Sequence, residues 1–534
     1  YVQADGLQTI GYDHGDYNVV TNYVKGNNSY TVFAGANYSH VDGTETWNNE
    51  NYQFTQSLFD RESYSKNSYR NHQEYMQFRY QNQKGKRYWV GKFTLVNLST
   101  PRNASSGFAK ESTETDVFSN IRKKSLSPKI DLNANLPLSK NQTLILGVHG
   151  KYSANSYHRL YQEQPFETMT DEDEKALSFQ LSAIYNYFSQ KHSLSMELFH
   201  YHDVWNADYS GNCELWQHLW KGESLAFFSY NFQASRRLSL KTRIGLDWLQ
   251  YHLHGDNSFS QLSPRINTNV QYQLNKGMLL WSFNFVNSNH GMDVINRAMI
   301  QVNSHMMEKG MPELKKSHDI NTYLYYMGRF NRLSVSAIGQ FRYNHHPVTD
   351  DYYLDEANGK IVKTYSNGGN AQYYSAILAL QYKLCKFANL SGDIRYNHAE
   401  VKTTWSKHNN NLTGNLGLNM FMGDFALKPY LHFGKKSLDE AAWVISKTPI
   451  DYGMSGSYSR GNLYVELQAA SPFKKQEKQY WLDLPIYSYS KSIKDQTASQ
   501  YASIKVAYSF DFGRKIQKVE KDVNKNINSS LLRV

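Results

Sequence analysis

The sequence lacks most of the features on which a function assignment usually rests. Its 534 residues include only two cysteines, Cys213 and Cys385, which lie far apart and form no metal or redox motif. Such scarcity leaves no disulfide framework. No apolar run approaches the roughly 18 residues that a membrane helix needs, and helical periodicity is almost absent. Helical membrane spans are therefore excluded, although this does not exclude the membrane itself.

Catalytic and nucleic-acid signatures are also missing. No Gly-x-Ser-x-Gly elbow, phosphate loop or zinc motif occurs, so we expect no enzyme, no cofactor and no metal site. The formal net charge is +11, yet Lys and Arg are scattered, with no dense basic block before the C-terminal tail. This distribution indicates a solvated lumen and basic loops, and we expect no nucleic acid as partner.

What the sequence has in quantity is tyrosine and strict alternation. There are 42 tyrosines, and aromatic residues make up 15% of the chain. In residues 238–248, apolar side chains alternate with Ser239, Lys241, Arg243 and Asp247. A period of two predicts strands with one apolar and one polar face, but a soluble β-sandwich would alternate in the same way.

The connections between these strands distinguish the two folds. Short turns rich in Gly, Asn and Lys alternate with long polar segments, which are 41–72, 100–124, 153–174, 203–222, 287–316 and 344–370. Tight periplasmic turns and long external loops are typical of outer-membrane barrels. The prediction is an all-β protein of the bacterial outer membrane. It has a transmembrane antiparallel β-barrel of about 22 strands at 1–512 and a periplasmic tail at 513–534.

Parts of the chain resemble TonB-dependent receptors of the Bacteroidota type. Residues 308–330 resemble the Gly-Asn-Pro-x-Leu-Lys-Pro-Glu stretch before a barrel strand, although Met311 and Lys316 depart from the usual Asn and Pro. The positions that carry the resemblance are Gly310, Pro312, Leu314 and Lys315, the hairpin at 358–384, and the last strand and tail at 508–530. Together they cover about the last 230 residues.

The resemblance implies a receptor whose external loops capture a scarce solute and whose plug is displaced through TonB. In this family the plug domain and a TonB-contacting segment precede the barrel. Because the sequence begins at or near the first predicted strand, we expect the plug to be absent from it, with plug and TonB as partners if they lie upstream. Lipid and lipopolysaccharide of the outer membrane are further expected partners.

Two alternative functions stay open. The barrel could be a subunit or scaffold of a larger outer-membrane complex, with other outer-membrane or surface lipoprotein subunits as partners. It could also be an open diffusion pore, which predicts a large steady conductance.

Two sets of residues are candidates for contact with a solute. Aromatic side chains in the predicted external loops can stack on rings of a solute; they are Trp205, Trp216, Trp220, Tyr352, Tyr353, Trp405 and Trp443. Charged side chains expected on the lumen face are Glu197, Lys241, Arg243, Asp247, Arg342, Asp393 and Arg395. The plainer explanations are membrane anchoring and loop packing for the aromatics, and hydration of the wall for the charges.

Two histidine pairs have the spacing of a metal chelate. His200 and His202 lie two apart on one strand, and His252 and His254 repeat this spacing. The first pair continues the face of Leu198, so we expect these imidazoles to point outward and to form no metal site.

Overall fold

The chain folds into a closed antiparallel barrel of 22 strands, as the sequence predicts. The computed structural model describes residues 1–55, 57–256, 258–288, 291–473, 475–495, 500–510, 523–527 and 529. The last strand, Tyr501–Phe510, pairs with the first, Val2–Ile10, with Val2 opposite Phe510. This pairing joins the two ends of the sheet, which an isolated sheet in lipid could not leave unpaired.

The elements follow in chain order. The first thirteen strands are β1 (Val2–Ile10), β2 (Asp13–Lys25), β3 (Asn28–Gln53), β4 (Leu58–Lys84), β5 (Arg87–Lys110), β6 (Glu114–Ser139), β7 (Gln142–Glu163), β8 (Phe166–Phe188), β9 (His192–Gly211), β10 (Leu215–Gln233), β11 (Leu238–Leu253), β12 (Phe259–Leu274) and β13 (Gly277–Ser288). A single turn of helix, α1 (Met292–Ile295), comes next. The remaining strands are β14 (Met299–Gln301), β15 (Met306–Lys309), β16 (Ser317–Phe330), β17 (Leu333–His345), β18 (Thr349–Asp355), β19 (Lys360–Ser366), β20 (Asn370–Lys383), β21 (Ala388–Lys402), β22 (Ser406–Met422), β23 (Phe425–His432), β24 (Lys435–Asp439), β25 (Val444–Thr448), β26 (Asp451–Arg460), β27 (Leu463–Ala470), β28 (Glu477–Asp483), β29 (Tyr487–Lys494) and β30 (Tyr501–Phe510).

The outer face of the wall carries an apolar belt. Leu246, Leu324, Leu378, Ile394 and Val506 are exposed on this face of five different strands. Alternation directs their sequence neighbours into the lumen, and such a belt is expected to meet hydrocarbon chains. Among the residues described, no helix is long and apolar enough to span a membrane.

One end of the barrel has tight turns, as predicted. Gly26, Gly85, Gly423 and Gly461 each open a two-residue turn with φ between 58° and 63°. Glycine adopts this left-handed conformation at little cost, and such turns match the twist of hairpin strands. We call this end the short-turn end and the opposite end the mouth.

At the mouth, four of the predicted long loops are wrong. Most of 41–72, 100–124, 153–174 and 203–222 is strand, because β3 to β10 continue well past the apolar belt. The connections that remain are short; that between β5 and β6, for example, is residues 111–113. Beyond the belt both faces of a strand meet water or polar loops, so the alternation that marks a strand in the sequence is lost.

The wall near the chain termini has a separate upper part. β3 pairs with β2 as far as His40 and with β29 from Glu45 onward. A register shift lies between Asp42 and Thr44, where Gly43 has φ +82°. A bulge with a left-handed glycine bends the strand there and lets it change partner.

The two remaining long segments, 287–316 and 344–370, fold into an inner sheet composed of β14, β15, β18 and β19. β15 runs parallel to β19, with Met306 opposite Ile361, and antiparallel pairs complete the order β14–β15–β19–β18. A parallel pair between strands from two different loops ties those loops into one unit.

Most of the predicted periplasmic tail, 513–534, lies outside the described residues. Its described part at 523–527 contacts the inner wall of the barrel.

Candidate functional site

The inner sheet and α1 pack against the wall at β7, β9, β10 and β11. Met292, Ile295 and Ile300 form a buried apolar cluster with inward-facing wall residues. The wall members include Tyr157, Trp205, Tyr209, Leu219, Leu249 and Leu253. Two backbone carbonyls of the inner segment, those of Gln301 and Val302, accept hydrogen bonds of 2.8 and 2.5 Å from Arg159 of β7.

The same sheet also packs against the opposite arc of the wall. Its residues Met306, Tyr352 and Ile361 are buried in a second cluster. The wall contributes Tyr52, Ala371, Val401, Trp443, Leu482 and Tyr487 from β3, β20, β21 and the β24–β29 region. Because the inner sheet touches arcs on both sides, it crosses the lumen at the mouth.

A buried ion-pair cluster connects the base of the first inner segment to the wall. Asp247 of β11 and Lys316, just before β16, are both fully buried, and their charged atoms lie 2.9 Å apart. Arg265 of β12 lies 2.6 Å from the same Asp247 oxygen and 3.1 Å from Glu223. Lys316 therefore sits where its charge is compensated by a wall carboxylate.

A second cluster, centred on Arg61 of β4, lies beside the connection between β14 and β15. Its guanidinium is 3.0 Å from Glu50 and 2.8 Å from Glu163, and it donates to the Tyr161 hydroxyl. Residues of the inner segment complete the cluster: Ser304 donates to Glu163, His305 contacts Glu111, and Asn303 donates to the Tyr52 hydroxyl. One cation thus balances carboxylates from separate strands.

A third group of charges lies within the inner sheet. The ammonium of Lys363 is 3.4 Å from Asp350 and 3.5 Å from Glu308. Burial raises the pKa of Asp350 to about 6, although the Lys363 charge opposes this shift. Glu308 and Asp350 raise the pKa of Lys363, so this side chain stays protonated at neutral pH.

The structure brings three of the seven predicted aromatic residues together. Tyr352, Trp405 and Trp443 belong to the second cluster, and the Trp443 indole donates a 2.7 Å hydrogen bond to the Asp350 carbonyl. The other four are separate. Tyr353 lies under Lys309, Trp205 is buried in the first cluster, Trp216 stacks on His218, and Trp220 contacts His202 edge-on.

The predicted lumen charges are distributed over three regions. Arg243 pairs with Glu197 at 2.5 Å and lies over the Phe227 ring. Arg342 pairs with Glu440, and Arg395 pairs with Asp393. Asp247 belongs to the cluster around Lys316, and Lys241 is exposed on the same strand face as Asp247.

The histidines lie on the outer face of the wall. His202 stacks on Phe179, and His200 has its ring 6.1 Å from that of His202. Within the described part of the chain, no three His, Cys, Asp or Glu side chains are grouped so that they could hold a metal.

Sequence reasoning missed the residues that hold the inner sheet in place. Arg61, Arg159 and His305 lie in segments that read as polar loops, where no periodicity marks a lumen face. Lys316 did carry a signal, because it replaces the proline of the resembled stretch.

Replacing Trp443 by phenylalanine is expected to loosen the inner sheet by about 1–2 kcal/mol, since one hydrogen bond and part of a fully buried side chain are lost. Hydrogen exchange of peptides covering 349–366 measures this. Trp216, which is 49% exposed on the outer face, provides the matched control: Trp216→Phe should leave exchange unchanged. Equal effects of the two substitutions would contradict the placement of Trp443.

Comparison by sequence finds no relative: no family model and no curated protein matches the chain. Comparison by structure does. The copper transporter OprC superposes with a TM-score of 0.66 at 11% identity, covering 95% of this chain and 80% of OprC. The ferric enterobactin receptor PfeA of Pseudomonas aeruginosa, as a mutant, gives 0.63 at 9%, with 95% and 80% covered. The FrpB iron transporter of Neisseria meningitidis gives 0.60 at 8%, with 95% and 81% covered.

At this level of identity the likeness concerns the fold. The chain has the 22-strand barrel fold of the TonB-dependent outer-membrane receptors. A closed barrel of this kind with an apolar belt belongs in the bacterial outer membrane. The mouth then faces the cell exterior and the short-turn end faces the periplasm.

Proposed function

We propose that this chain is the translocation barrel of an outer-membrane receptor that takes up a scarce solute by a TonB-dependent mechanism. The observation that carries the proposal is the inner sheet, which crosses the mouth and is packed and ion-paired to the wall on two sides. A solute can enter only if this sheet moves or if the solute passes beside it. Both routes select solutes, as a receptor must.

The finer parts of the proposal rest on resemblance. The stretch at 308–330, which supplies β15, Lys316 and β16, supports a receptor of the Bacteroidota type. The barrel fold shared with transporters and receptors titled for copper, iron and enterobactin supports uptake of a solute too scarce or too large for passive diffusion. Plug, TonB, lipopolysaccharide and surface lipoproteins are the partners that this proposal requires or allows.

Uptake by intact cells tests the TonB-dependent part. Cells with and without the gene, each with and without TonB, are grown in a complex medium, and solutes removed from the medium are identified by mass spectrometry. We expect at least one solute to be depleted only when both proteins are present. Depletion that persists without TonB would contradict the proposed mechanism.

Planar-bilayer conductance with KCl tests the alternative of an open pore. The inner sheet predicts little steady conductance for the purified protein, because it fills the mouth of a barrel that would otherwise be wide enough for a water-filled channel. A matched variant in which 299–309 is replaced by a short Gly/Ser linker should conduct no less. A large steady conductance of the unmodified protein would favour the open pore instead.

A further inference from the structure

The segment at 523–527, which follows the last strand, lies inside the barrel. Its side chains Val523 and Ile527 pack against four inward-facing residues of the wall. These are Val20, Phe33, Tyr75 and Val96, on the four neighbouring strands β2 to β5. All four are buried, whereas Val19 and Met76, next to Val20 and Tyr75, are exposed on the outer belt.

Polar contacts fix the same segment. The Lys129 ammonium of β6 donates to the backbone carbonyls of Asn524 and Asn526, at 2.7 and 2.5 Å. Lys525 places its ammonium 4.2 Å from the centre of the Tyr75 ring, which is a cation–π contact. Val20, Phe33, Tyr75, Val96 and Lys129 together form what we call the lumen patch.

The lumen patch has a chemical reason to bind backbone carbonyls. Lys129 lies directly opposite Lys151 on the neighbouring strand, and like charges in this position repel each other. Lys129 is also buried, so its ammonium needs acceptors from whatever covers it. An extended peptide with alternating apolar side chains supplies both carbonyl acceptors and apolar contacts.

The segment can reach the patch without strain. Phe510, at the end of β30, lies opposite Val2, and Val2 lies opposite Thr21, the neighbour of Val20. The chain therefore leaves the wall one strand away from β2. The twelve residues between 510 and 523 could span roughly 40 Å if extended, more than this path requires.

We propose that residues 523–527 are an internal ligand of the barrel, which binds the lumen patch and narrows the solute path on its periplasmic side. The occupant is this segment of the chain itself. The proposal is independent of transport, because it concerns a binding site on the inner wall whether or not a solute passes.

Site-specific photo-crosslinking of the whole protein in outer membranes tests it. The probe amino acid p-benzoylphenylalanine is placed at Tyr75, facing the lumen, or at the adjacent Met76, facing outward. We expect the probe at position 75 to join the peptide that contains 523–527, as identified by mass spectrometry, and the probe at 76 to yield at least tenfold less. Heat-modified mobility on gels shows that each barrel is folded.

Two variants separate specific binding from chance proximity. The double change Val523→Asp with Ile527→Asp should lower the yield from position 75 at least tenfold. Asn526→Ser, which keeps the backbone carbonyl bound by Lys129, should leave it unchanged. If the probe at position 75 in a folded barrel joins another part of the protein, or nothing, or if both variants behave alike, the lumen patch has a different occupant and the proposal is wrong.

Discussion

Replacing Asp247 by alanine is expected to release the base of the first inner segment from the wall. Asp247 and Lys316 are both fully buried, so the substitution removes the carboxylate nearest to a buried ammonium. Breaking a buried pair from one side costs about 3–5 kcal/mol. Hydrogen exchange of peptides covering 291–317 should accelerate by roughly a hundredfold or more, because this free energy sets the local opening equilibrium.

Asp393 is the matched control for this substitution. It is also a carboxylate on the barrel wall, but its partner Arg395 is 47% exposed. A pair of this kind contributes about 0–1 kcal/mol, so Asp393→Ala should change exchange of the inner segments little. Unchanged exchange in Asp247→Ala would show that Lys316 is not held by this carboxylate.

Replacing Arg61 by alanine is expected to have an effect of similar size on the opposite side of the mouth. Arg61 is 5% exposed and lies between Glu50 and Glu163, which would be left buried and close to each other without a cation. The expected loss is about 3–5 kcal/mol in the docking of the 301–309 segment, measured by hydrogen exchange. Arg61→Lys should recover only part of it, since an ammonium does not reproduce the planar fork of the guanidinium.

A charge-matched rescue distinguishes electrostatics from lost packing. Adding Glu50→Gln and Glu163→Gln to Arg61→Ala removes both uncompensated carboxylates, so a substantial part of the docking free energy should return. If the triple variant is no more stable than Arg61→Ala, the effect comes from lost contacts of the arginine stem, and the electrostatic explanation fails.

The barrel could be predicted from sequence because its signal is local and periodic. Along 238–248, every second residue faces lipid and must be apolar, while the residues between them, such as Arg243 and Asp247, can be charged. The closing pair of strands was predictable for the same reason. Ile504 and Val506 alternate with polar neighbours up to the last turn of the wall.

The mouth could not be predicted because its strands are under a different constraint. In 41–53 polar residues occupy both faces, although β3 runs through to Gln53. Only hydrogen bonding to β4 and β29 keeps this segment extended, and those partners are 20 to more than 400 residues away. Trp205 illustrates the consequence: predicted in a loop, it is a buried wall residue against the inner segment.

The inner sheet was beyond sequence reasoning because it depends on contacts between two loops. The parallel pairing of β15 with β19 joins segments about 55 residues apart, and the partners that hold them lie on distant strands. Neither loop has an apolar period long enough to indicate a sheet. Their burial is a tertiary effect, produced by the lumen around them.

The docking of the inner sheet against the wall can be measured most directly with a designed disulfide. The backbone N–H of Asp350, in β18, donates a 2.7 Å hydrogen bond to the carbonyl of Ala441 in the wall hairpin, which brings the two Cα atoms within disulfide range. Asp350→Cys with Ala441→Cys is built in a chain with Cys213→Ser and Cys385→Ser. In the control pair, the first cysteine is moved to Glu356, six residues and roughly 20 Å further along the chain.

We predict that the 350–441 pair oxidises almost completely in intact outer membranes and that neither thiol then reacts with a maleimide, while the 356–441 pair stays reduced. Two free, maleimide-reactive thiols at 350 and 441 in a folded barrel would show that the mouth is open and that the inner sheet is not docked there.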